Sequence, residues 1–287
     1  MALVGSYVTL SQQLVAVMGV TVLAWCRFTI GALAMPHWLR KPAEEPRLTP
    51  ALHGWLFLES LLGNVLFSLC MLAGVQRTSV VSAGVILSFT PMAVALLSRW
   101  WLGEHVAWRT WAGIVLAVIG MALLGLEARV IETDGEGAAL SDRAIGNLLI
   151  LAAVLCEASY AVIGKRLTRS LSPRRITALI NLWGWVLMTP LAWSALSSFN
   201  PATLHLGQWG ALLFYALAAS VGTVWLWMTG LQRVPASQAG VFTAMLPLAA
   251  CTVAWVLGEV PSPLQWLALG LTLAGIVVSN WIRREGA

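Results

Sequence analysis

Long apolar stretches recur along the whole chain and constrain its fold more than any other feature. They lie at about 1–15, 18–39, 51–74, 79–101, 108–126, 145–164, 176–196, 207–231, 236–258 and 264–282. Most of them approach the roughly 20 residues that a helix needs to cross the hydrocarbon core of a bilayer. They lack the alternation of polar and apolar residues that is typical of barrel strands. The sequence therefore predicts an all-α membrane protein with ten transmembrane helices.

The composition excludes several other classes of protein. Hydrophobic residues make up 59% of the chain and charged residues 10%, whereas soluble domains carry about 25% charged residues. This argues against a soluble enzyme, a secreted domain and a disordered chain. The first stretch is short and is interrupted by Gln12 and Gln13, so we predict no cleaved signal peptide. We expect helix 1 either to start within the membrane or to lack native residues upstream of Met1.

The two halves of the chain repeat each other. Segment Gly74–Pro91 aligns with Gly230–Pro247, and seven of the eighteen positions are identical. Two shorter matches follow the same order: Ser6-Tyr7 with Ser159-Tyr160, and Leu102-Gly103-Glu104 with Leu257-Gly258-Glu259. Chance could supply one such match but hardly all of them in order, so the chain contains an internal repeat.

Each copy contains five helices, and an odd number places the second copy upside down in the membrane. We therefore predict two inverted five-helix repeats at 1–126 and 145–287, joined by an acidic outer linker at 127–144. Thirteen lysines and arginines fall in the loops assigned to the cytoplasmic side and three in the outer loops. Because basic loops stay on the cytoplasmic side, we predict a multi-pass protein of the cell (inner or plasma) membrane with a cytoplasmic C-terminus.

Several motifs carry a family resemblance. They are Gly5-Ser6, the Ala24–Phe28 segment, the Ala158–Tyr160 segment, the Gly84/Pro91 and Gly240/Pro247 pairs and the two Leu-Gly-Glu turns. Together with the five-plus-five repeat, they resemble the EamA-type transporters of the drug/metabolite transporter superfamily. The resemblance implies a secondary transporter with a central cavity between the repeats, often an exporter of amino acids or related metabolites. Members that export aromatic amino acids offer the nearest functional comparison.

Three charged residues fall inside predicted spans: Arg27, Glu59 and Glu157. At 1.5 Å of rise per residue, each lies roughly 12–18 Å from a membrane face. An ionised side chain at that depth costs at least about 2.5–3.5 kcal/mol, so it faces a cavity or a partner. Two interpretations stay open: an inert ion pair, such as Arg27 with Glu59, or contact with a substrate or a proton.

The second interpretation assigns each residue a chemical role. Arg27 can bind a substrate carboxylate through two parallel hydrogen bonds, while Glu59 or Glu157 can hold an amine or a coupling proton. Tyr7 and Tyr160 occupy matching repeat positions, and Tyr160 shares a helix face with Glu157 three residues before it. These five residues form the predicted substrate site, although the two tyrosines could equally serve helix packing.

Two prolines occupy equivalent positions halfway along the fourth and ninth spans, Pro91 and Pro247. Proline removes a backbone donor and interrupts a helix. A symmetric pair of interruptions is consistent with hinges for alternating access between the repeats, and equally with permanent bends.

Enzyme machinery is absent from the sequence, which has no GxxxxGK[ST] phosphate loop and no HExxH motif. We therefore predict no enzyme activity, no cofactor, no metal site and no nucleic-acid partner. The predicted function is gradient-driven export of small metabolites, amino acids above all, with the lipid bilayer and protons as partners. One alternative is a sugar-phosphate or nucleotide-sugar antiporter, but we would expect several intramembrane lysines or arginines to bind a phosphate, and only Arg27 is present. The other alternative is a lipid-handling membrane protein.

Overall fold

The computed structural model describes residues 14–78, 80–131, 140–201, 204–245 and 262–280. Within these ranges the secondary structure is helical and includes no strand, so the prediction of an all-α chain is confirmed for the described residues. The helices are α1 (Val20–Ala34), α2 (Pro50–Val75), α3 (Val80–Leu87), α4 (Thr90–Leu102), α5 (Trp108–Ile131), α6 (Leu140–Leu167), α7 (Pro173–Ser198), α8 (Leu206–Arg233), α9 (Ala236–Val241) and α10 (Pro263–Asn280).

Five of the helical segments are long and apolar enough to cross a membrane: Pro50–Val75, Ser82–Leu102, Asp142–Leu167, Pro173–Ser198 and Leu206–Arg233. Three shorter apolar helices cover Val20–Ala34, Trp108–Leu123 and Pro263–Ser279. These eight correspond to eight of the ten predicted spans, and the other two predicted spans reach beyond the described residues. Large apolar side chains on the helix surfaces are exposed, among them Leu33 at 75% and Leu148 at 65%. Such exposure suits a surface that faces lipid.

Helix ends differ from the prediction in two places. Residues 14–18 are helical, and the break before α1 falls at Gly19, whose φ of 75° is one that glycine adopts without steric cost. The second difference is in the predicted linker, where α5 continues to Ile131 and α6 already begins at Leu140. An acidic residue in the first turn, Asp142, favours that start because it faces the positive end of the helix dipole.

Helices begin at equivalent positions in the two halves of the sequence. α1 and α7 start 153 residues apart, at Val20 and Pro173, and the same offset relates Tyr7 to Tyr160. α2 and α8 start 156 residues apart, and so do α3 and α9; the offset between α5 and α10 is 155. Residues of the two halves can therefore be paired position by position.

α2 and α8 also share an irregularity. Each contains one π-helical segment, Leu61–Leu66 in α2 and Leu217–Gly222 in α8. The two segments are again 156 residues apart. A π segment inserts an extra residue into the helix, is rare in proteins and is frequently found at functional sites, so its presence at equivalent positions marks the same region of both copies.

The chain divides into two compact units, and the first comprises Met1–Val65 and Ile163–Arg233. Here α1 packs on α7. The ring of Phe28 fills the space beside Gly184, where an added Cβ would lie 2.7 Å from its Cε1 atom. A Cβ added to Gly31 would lie 3.3 Å from Oδ1 of Asn181. At the 153-residue offset Phe28 is equivalent to Asn181 and Gly31 to Gly184, so the two contacts are reciprocal. The later residue of one helix meets the earlier residue of the other, so α1 and α7 run in opposite directions.

The second unit comprises Leu66–Val162 and Val234–Ala287. Here α5 packs on α10 through small residues. A Cβ added to Gly275 would lie 2.6 Å from the carbonyl oxygen of Gly113, and one added to Gly120 would lie 2.7 Å from that of Ala268. At the 155-residue offset Gly120 is equivalent to Gly275 and Gly113 to Ala268. These contacts are reciprocal as well, and α5 and α10 run in opposite directions at a separation that only small residues allow.

A glutamate caps one helix N-terminus in each unit. In the second unit, Glu104 accepts hydrogen bonds from the backbone N–H groups of Ala236 at 2.9 Å and Ser237 at 3.2 Å. In the first unit, Glu45 accepts one from the N–H of Ser172 at 2.9 Å and pairs with Arg175 at 2.8 Å. Burial opposes the charge of Glu45, but these hydrogen bonds outweigh it and lower the pKa of Glu45 below its ordinary value.

Candidate functional site

Arg27 lies half-buried in the middle of α1. Its Nη2 atom donates a hydrogen bond to Oδ1 of Asn64 at 3.2 Å, and the guanidinium carbon lies 4.3 Å from the ring centre of Phe28. Its Nε atom is buried and has no hydrogen-bond partner in the described part of the chain. The guanidinium group is therefore held by a neutral amide and keeps an unused N–H donor.

Glu59 is also in the first unit and is fully buried in α2. Its Oε1 atom would lie 2.9 Å from a Cβ added to Gly164, so the absence of a side chain there leaves room for the carboxylate. Among the described residues, Arg27 forms no salt bridge with Glu59 or with any other carboxylate. The inert ion pair between Arg27 and Glu59, one of the two interpretations of the sequence, is therefore not formed.

Polar groups continue from Arg27 through the first unit. The Nδ2 atom of Asn64 donates to Oγ of Ser60 at 3.3 Å, and Ser60 Oγ donates to the carbonyl oxygen of Ile180 at 2.9 Å. From the other side, Oγ of Ser220 donates to the carbonyl oxygen of Arg27 at 3.4 Å. Both the side chain and the main chain of Arg27 are thus fixed by residues in or next to a π segment.

The repeat-equivalent positions in this cluster differ in chemistry. Arg27 is equivalent to Ile180, and Asn64 is equivalent to Ser220. The carbonyl oxygens of Arg27 and Ile180 each accept a bond from a serine of the opposite half. The two acceptor carbonyls are therefore equivalent, whereas the donating serines are not at equivalent positions and the positive charge is present at Arg27 and not at Ile180.

Glu157 and Tyr160 belong to the second unit, where both are half-buried in α6. As predicted, they are three residues apart in a continuous helix and so share one face. Tyr7 and Pro247 lie outside the described residues. The structure thus places Arg27 and Glu59 in one unit and Glu157 and Tyr160 in the other.

Pro91 marks an interruption in the fourth predicted span. α3 ends at Leu87, and Pro91 is buried in the first turn of α4, which begins at Thr90. Backbone N–H groups in the first turn of a helix have no intrahelical acceptor, so proline, which lacks this N–H, is tolerated there. The fourth span therefore consists of two helices that meet at residues 88–89.

The cluster also contains Asn181, whose Nδ2 atom donates to the carbonyl oxygen of Ser220 at 2.9 Å. The uncharged polar residues of the cluster were not singled out by the sequence: Ser60, Asn64, Asn181 and Ser220. Single serines and asparagines are common in apolar segments, and a search for midplane charges passes over them. One signal could have found two of them, because Asn64 and Ser220 are both polar and are related by the 156-residue offset.

The arrangement suits the binding of an anion. A guanidinium group with an unused N–H fits a carboxylate, whereas the described residues contain no group of three or more His, Cys, Asp or Glu that could hold a metal ion. The chain matches the EamA-like transporter family over residues 1–126 and 144–281. It belongs to the EamA-like transporter family. The resemblance noted from the motifs is therefore confirmed, and the protein is a membrane transporter and not an enzyme.

Curated relatives extend this result. The uncharacterised transporter YetK of Bacillus subtilis (strain 168) is 32% identical, with 97% of this chain and 84% of YetK aligned. The threonine/homoserine exporter RhtA of Escherichia coli (strain K12) is 31% identical over 99% of this chain and 90% of RhtA. A probable terminal-alkyne amino-acid exporter of Streptantibioticus cattleyicolor is 24% identical over 91% of this chain and 84% of its own.

The fold is also represented among solved structures. A protein crystal structure superposes with a TM-score of 0.73, and the match covers 97% of this chain and 93% of that one. Sequence identity between the two is 20%. This likeness shows that the two chains share a fold.

Proposed function

We infer that this EamA-like transporter is a gradient-driven exporter of small metabolites and that its substrates are amino acids. Two relatives that align over at least nine-tenths of the chain bear the names of amino-acid exporters. The observation that carries the proposal is the guanidinium of Arg27, which lies in the middle of an apolar helix and has no carboxylate partner among the residues that the structure describes. A cation at that depth is costly, and a substrate carboxylate compensates for the cost.

The proposed architecture is ten transmembrane helices in two inverted repeats, 1–126 and 145–287, that alternate access to the site. Equal helix starts, equal π segments and reciprocal contacts support it. In both packed pairs, α1 with α7 and α5 with α10, the equivalent helices run in opposite directions. Opposite directions are what an axis in the membrane plane imposes on equivalent helices.

In the proposed site Arg27 binds the substrate carboxylate. Glu59 or Glu157 takes the amine or a coupling proton, and Tyr7 and Tyr160 contribute at equivalent positions of the two repeats. A zwitterionic amino acid carries a carboxylate for Arg27 and an ammonium group for one of the two glutamates. A sugar phosphate would place more negative charge on a single arginine.

Movement between inward- and outward-facing states requires hinges. We assign this role to the helix break at Pro91 and to its equivalent Pro247. The two π segments, Leu61–Leu66 and Leu217–Gly222, supply a second symmetric pair of weak points, because their backbone hydrogen bonding departs from the α-helical pattern.

The proposed orientation in the cell (inner) membrane places the linker outside and the C-terminus in the cytoplasm. Asp134→Cys and Arg169→Cys, each made in a chain without its four native cysteines, should be labelled differently by an impermeant thiol reagent in intact cells. We expect labelling of the first and protection of the second. Equal labelling would contradict the inverted arrangement.

The substrate proposal is tested by counterflow in liposomes that contain the purified protein, with each of the twenty L-amino acids as probe. We expect accelerated exchange for a subset of them and none in protein-free liposomes. Glu157→Gln keeps the size and polarity of the side chain and cannot ionise. We expect it to remove part of the pH dependence of flux between pH 5 and 8 without loss of folded protein. Absence of exchange with every amino acid would refute the proposed function.

A further inference from the structure

We propose that Asn64 is a positioning residue that holds Arg27 for the substrate carboxylate, and that its neutrality keeps the arginine's charge available. This rests on the proposed function and goes beyond it, since it assigns selectivity for a carboxylate to a residue that carries no charge. The inference starts from the partner that the chain supplies to its buried guanidinium.

A buried arginine is normally matched by a carboxylate, because two opposite charges stabilise each other where water is excluded. Here the partner is the amide oxygen of Asn64, at 3.2 Å from Nη2. An amide fixes the direction of the guanidinium group through a hydrogen bond but does not cancel its charge. The positive charge is therefore not cancelled, and the buried Nε donor has no partner within the described part of the chain.

The amide is itself held in place. Asn64 Nδ2 donates to Ser60 Oγ at 3.3 Å, and Ser60 Oγ donates to the backbone of α7 at Ile180 at 2.9 Å. These two bonds fix the amide with its oxygen towards Arg27 and its nitrogen away from it. The chain of bonds therefore links α1, α2 and α7 within the first unit.

The position of Asn64 in the helix strengthens the case. It lies inside the π segment Leu61–Leu66, where an extra residue per turn re-aims side chains. The equivalent residue of the other half, Ser220, also lies in a π segment, but its hydroxyl donates to the main chain of Arg27 and not to the guanidinium. One copy thus supports the arginine backbone and the other orients its charged group.

The inference predicts effects of different size for two substitutions of Asn64. Asn64→Asp places a carboxylate where the amide oxygen lies, so it neutralises Arg27 from within and competes with any substrate carboxylate. Asn64→Ser shortens the side chain to that of the equivalent Ser220 and leaves the guanidinium unheld. The first variant should therefore impair carboxylate recognition more than the second.

The experiment measures flux into liposomes for the best-transported of the twenty L-amino acids, with that amino acid and its C-terminal amide as competitors. In the wild-type protein we expect the amino acid to compete at least tenfold better than the amide. In Asn64→Asp we expect the KM to rise ten- to a hundredfold, the range that loss of a charge-assisted hydrogen bond produces, with a smaller change in maximal flux. The preference for the carboxylate over the amide should fall towards one.

Three controls separate the possible outcomes. Asn200→Asp adds the same charge at an exposed residue after α7 and should keep the wild-type preference. Asn64→Asp in an Arg27→Ala background should add no further loss, since its effect acts through Arg27. If Asn64→Asp is too unstable to purify, Asn64→Ser replaces it, and a preference lowered at least threefold is then expected.

The results distinguish failure of the inference from failure of the proposed function. A folded Asn64→Asp with wild-type KM and preference overturns the role of Asn64, and so does Asn64→Ser with wild-type preference where it is the variant tested. A wild-type protein that exchanges amino acids but does not prefer carboxylates to amides overturns carboxylate binding at Arg27 and this inference with it. A wild-type protein that exchanges no amino acid refutes the proposed function itself.

Discussion

The two compact units use the same packing geometry for different chemistry. In each, two repeat-equivalent helices cross in opposite directions through reciprocal contacts, α1 with α7 in the first unit and α5 with α10 in the second. The second crossing keeps the same small residue at equivalent positions, Gly120 and Gly275. The first crossing also keeps a glycine at equivalent positions, Gly31 and Gly184. Beside these glycines its equivalent residues differ in chemistry, because Arg27 is equivalent to Ile180 and Phe28 to Asn181.

This difference indicates which positions are structural and which carry function. A crossing built from glycine needs close backbone approach and nothing else, so both copies of the repeat can keep the same residue. A buried charge is costly in a membrane wherever it lies, and one copy of it suffices to bind one substrate. We therefore look for the site where the two halves have diverged and for the scaffold where they have remained alike.

The largest effect on transport is expected from Arg27→Ala. Loss of a charge-assisted hydrogen bond to the substrate should weaken amino-acid binding by about 1.5–3 kcal/mol, or about ten- to a hundredfold. Binding to the purified protein is measured by thermal shift and flux by counterflow. The fold should persist, because the partner left behind, Asn64, is neutral. A well-folded Arg27→Ala protein with unchanged binding would show that the substrate carboxylate binds elsewhere, and the assignment of function to the first unit would then be wrong.

A comparable effect, on stability and not on substrate preference, is expected from Gly275→Val in the second unit. Its first side-chain atom would meet the Gly113 carbonyl oxygen at 2.6 Å, so α5 and α10 must separate at a cost of about 1–3 kcal/mol. The thermal midpoint of the purified protein measures this.

Gly270→Val on the same helix is the matched control, because an added Cβ there meets nothing within 4 Å. We expect it to stay within about 0.5 kcal/mol of the wild-type protein. Equal midpoints for the two variants would show that the α5–α10 crossing does not depend on close approach at Gly275.

The sequence predicted the helices well because their causes are local and repeated. Apolar length defines a span, and the second copy of a motif confirms the first, as at Gly74–Pro91 and Gly230–Pro247. Gly103, in one of the two Leu-Gly-Glu turns, ends α4 with a positive φ, whereas Gly19 breaks the helix inside a predicted span and was not recognised as a break. In the predicted linker, the end of α5 was placed too early and the start of α6 too late, because charged residues do not by themselves end a helix.

The site was predicted only in its charged members. The π segments Leu61–Leu66 and Leu217–Gly222 were not predicted, because apolar length and repeat matching identify a helical span but not the hydrogen-bond pattern within it. The partner of Arg27 was equally hidden. The sequence offered Glu59 as one possible partner, whereas in the structure the amide of Asn64, inside the π segment, bonds to the guanidinium.

A smaller effect is expected at the cap of the first unit, in Glu45→Gln. Glutamine keeps an acceptor for the N–H of Ser172 but loses the charge opposite Arg175, so about 1 kcal/mol of stability should be lost at neutral pH. The pKa of Glu45 is lower in the folded than in the unfolded protein. Its contribution is therefore complete above the unfolded glutamate pKa of about 4.3 and is lost as the pH falls through the lower folded pKa.

The thermal midpoints of Glu45→Gln and the wild-type protein should accordingly approach each other as the pH falls below the unfolded glutamate pKa and through the lower folded pKa of Glu45. Glu104→Gln is the counterpart in the second unit, where the carboxylate caps α9 through Ala236 and Ser237. Midpoints of Glu45→Gln that differ from wild type by the same amount at pH 7 and at pH 4 would contradict the role of its charge.

The smallest effects are expected at the two serines that hold equivalent carbonyl groups in the first unit. Ser60 donates to Ile180 at 2.9 Å and is fully buried, whereas Ser220 donates to Arg27 at 3.4 Å, the long limit of a hydrogen bond. Ser60→Ala should cost about 1 kcal/mol and Ser220→Ala less than about 0.5 kcal/mol. Both are measured as thermal midpoints.

The two serines should also differ in transport. Since Ser60 accepts a bond from Asn64, Ser60→Ala should raise the KM for amino acids two- to threefold, about 0.5 kcal/mol. Ser220→Ala should leave the KM unchanged. A larger KM change for Ser220→Ala would mean that the backbone of Arg27, and not its guanidinium partner, sets the geometry of the site.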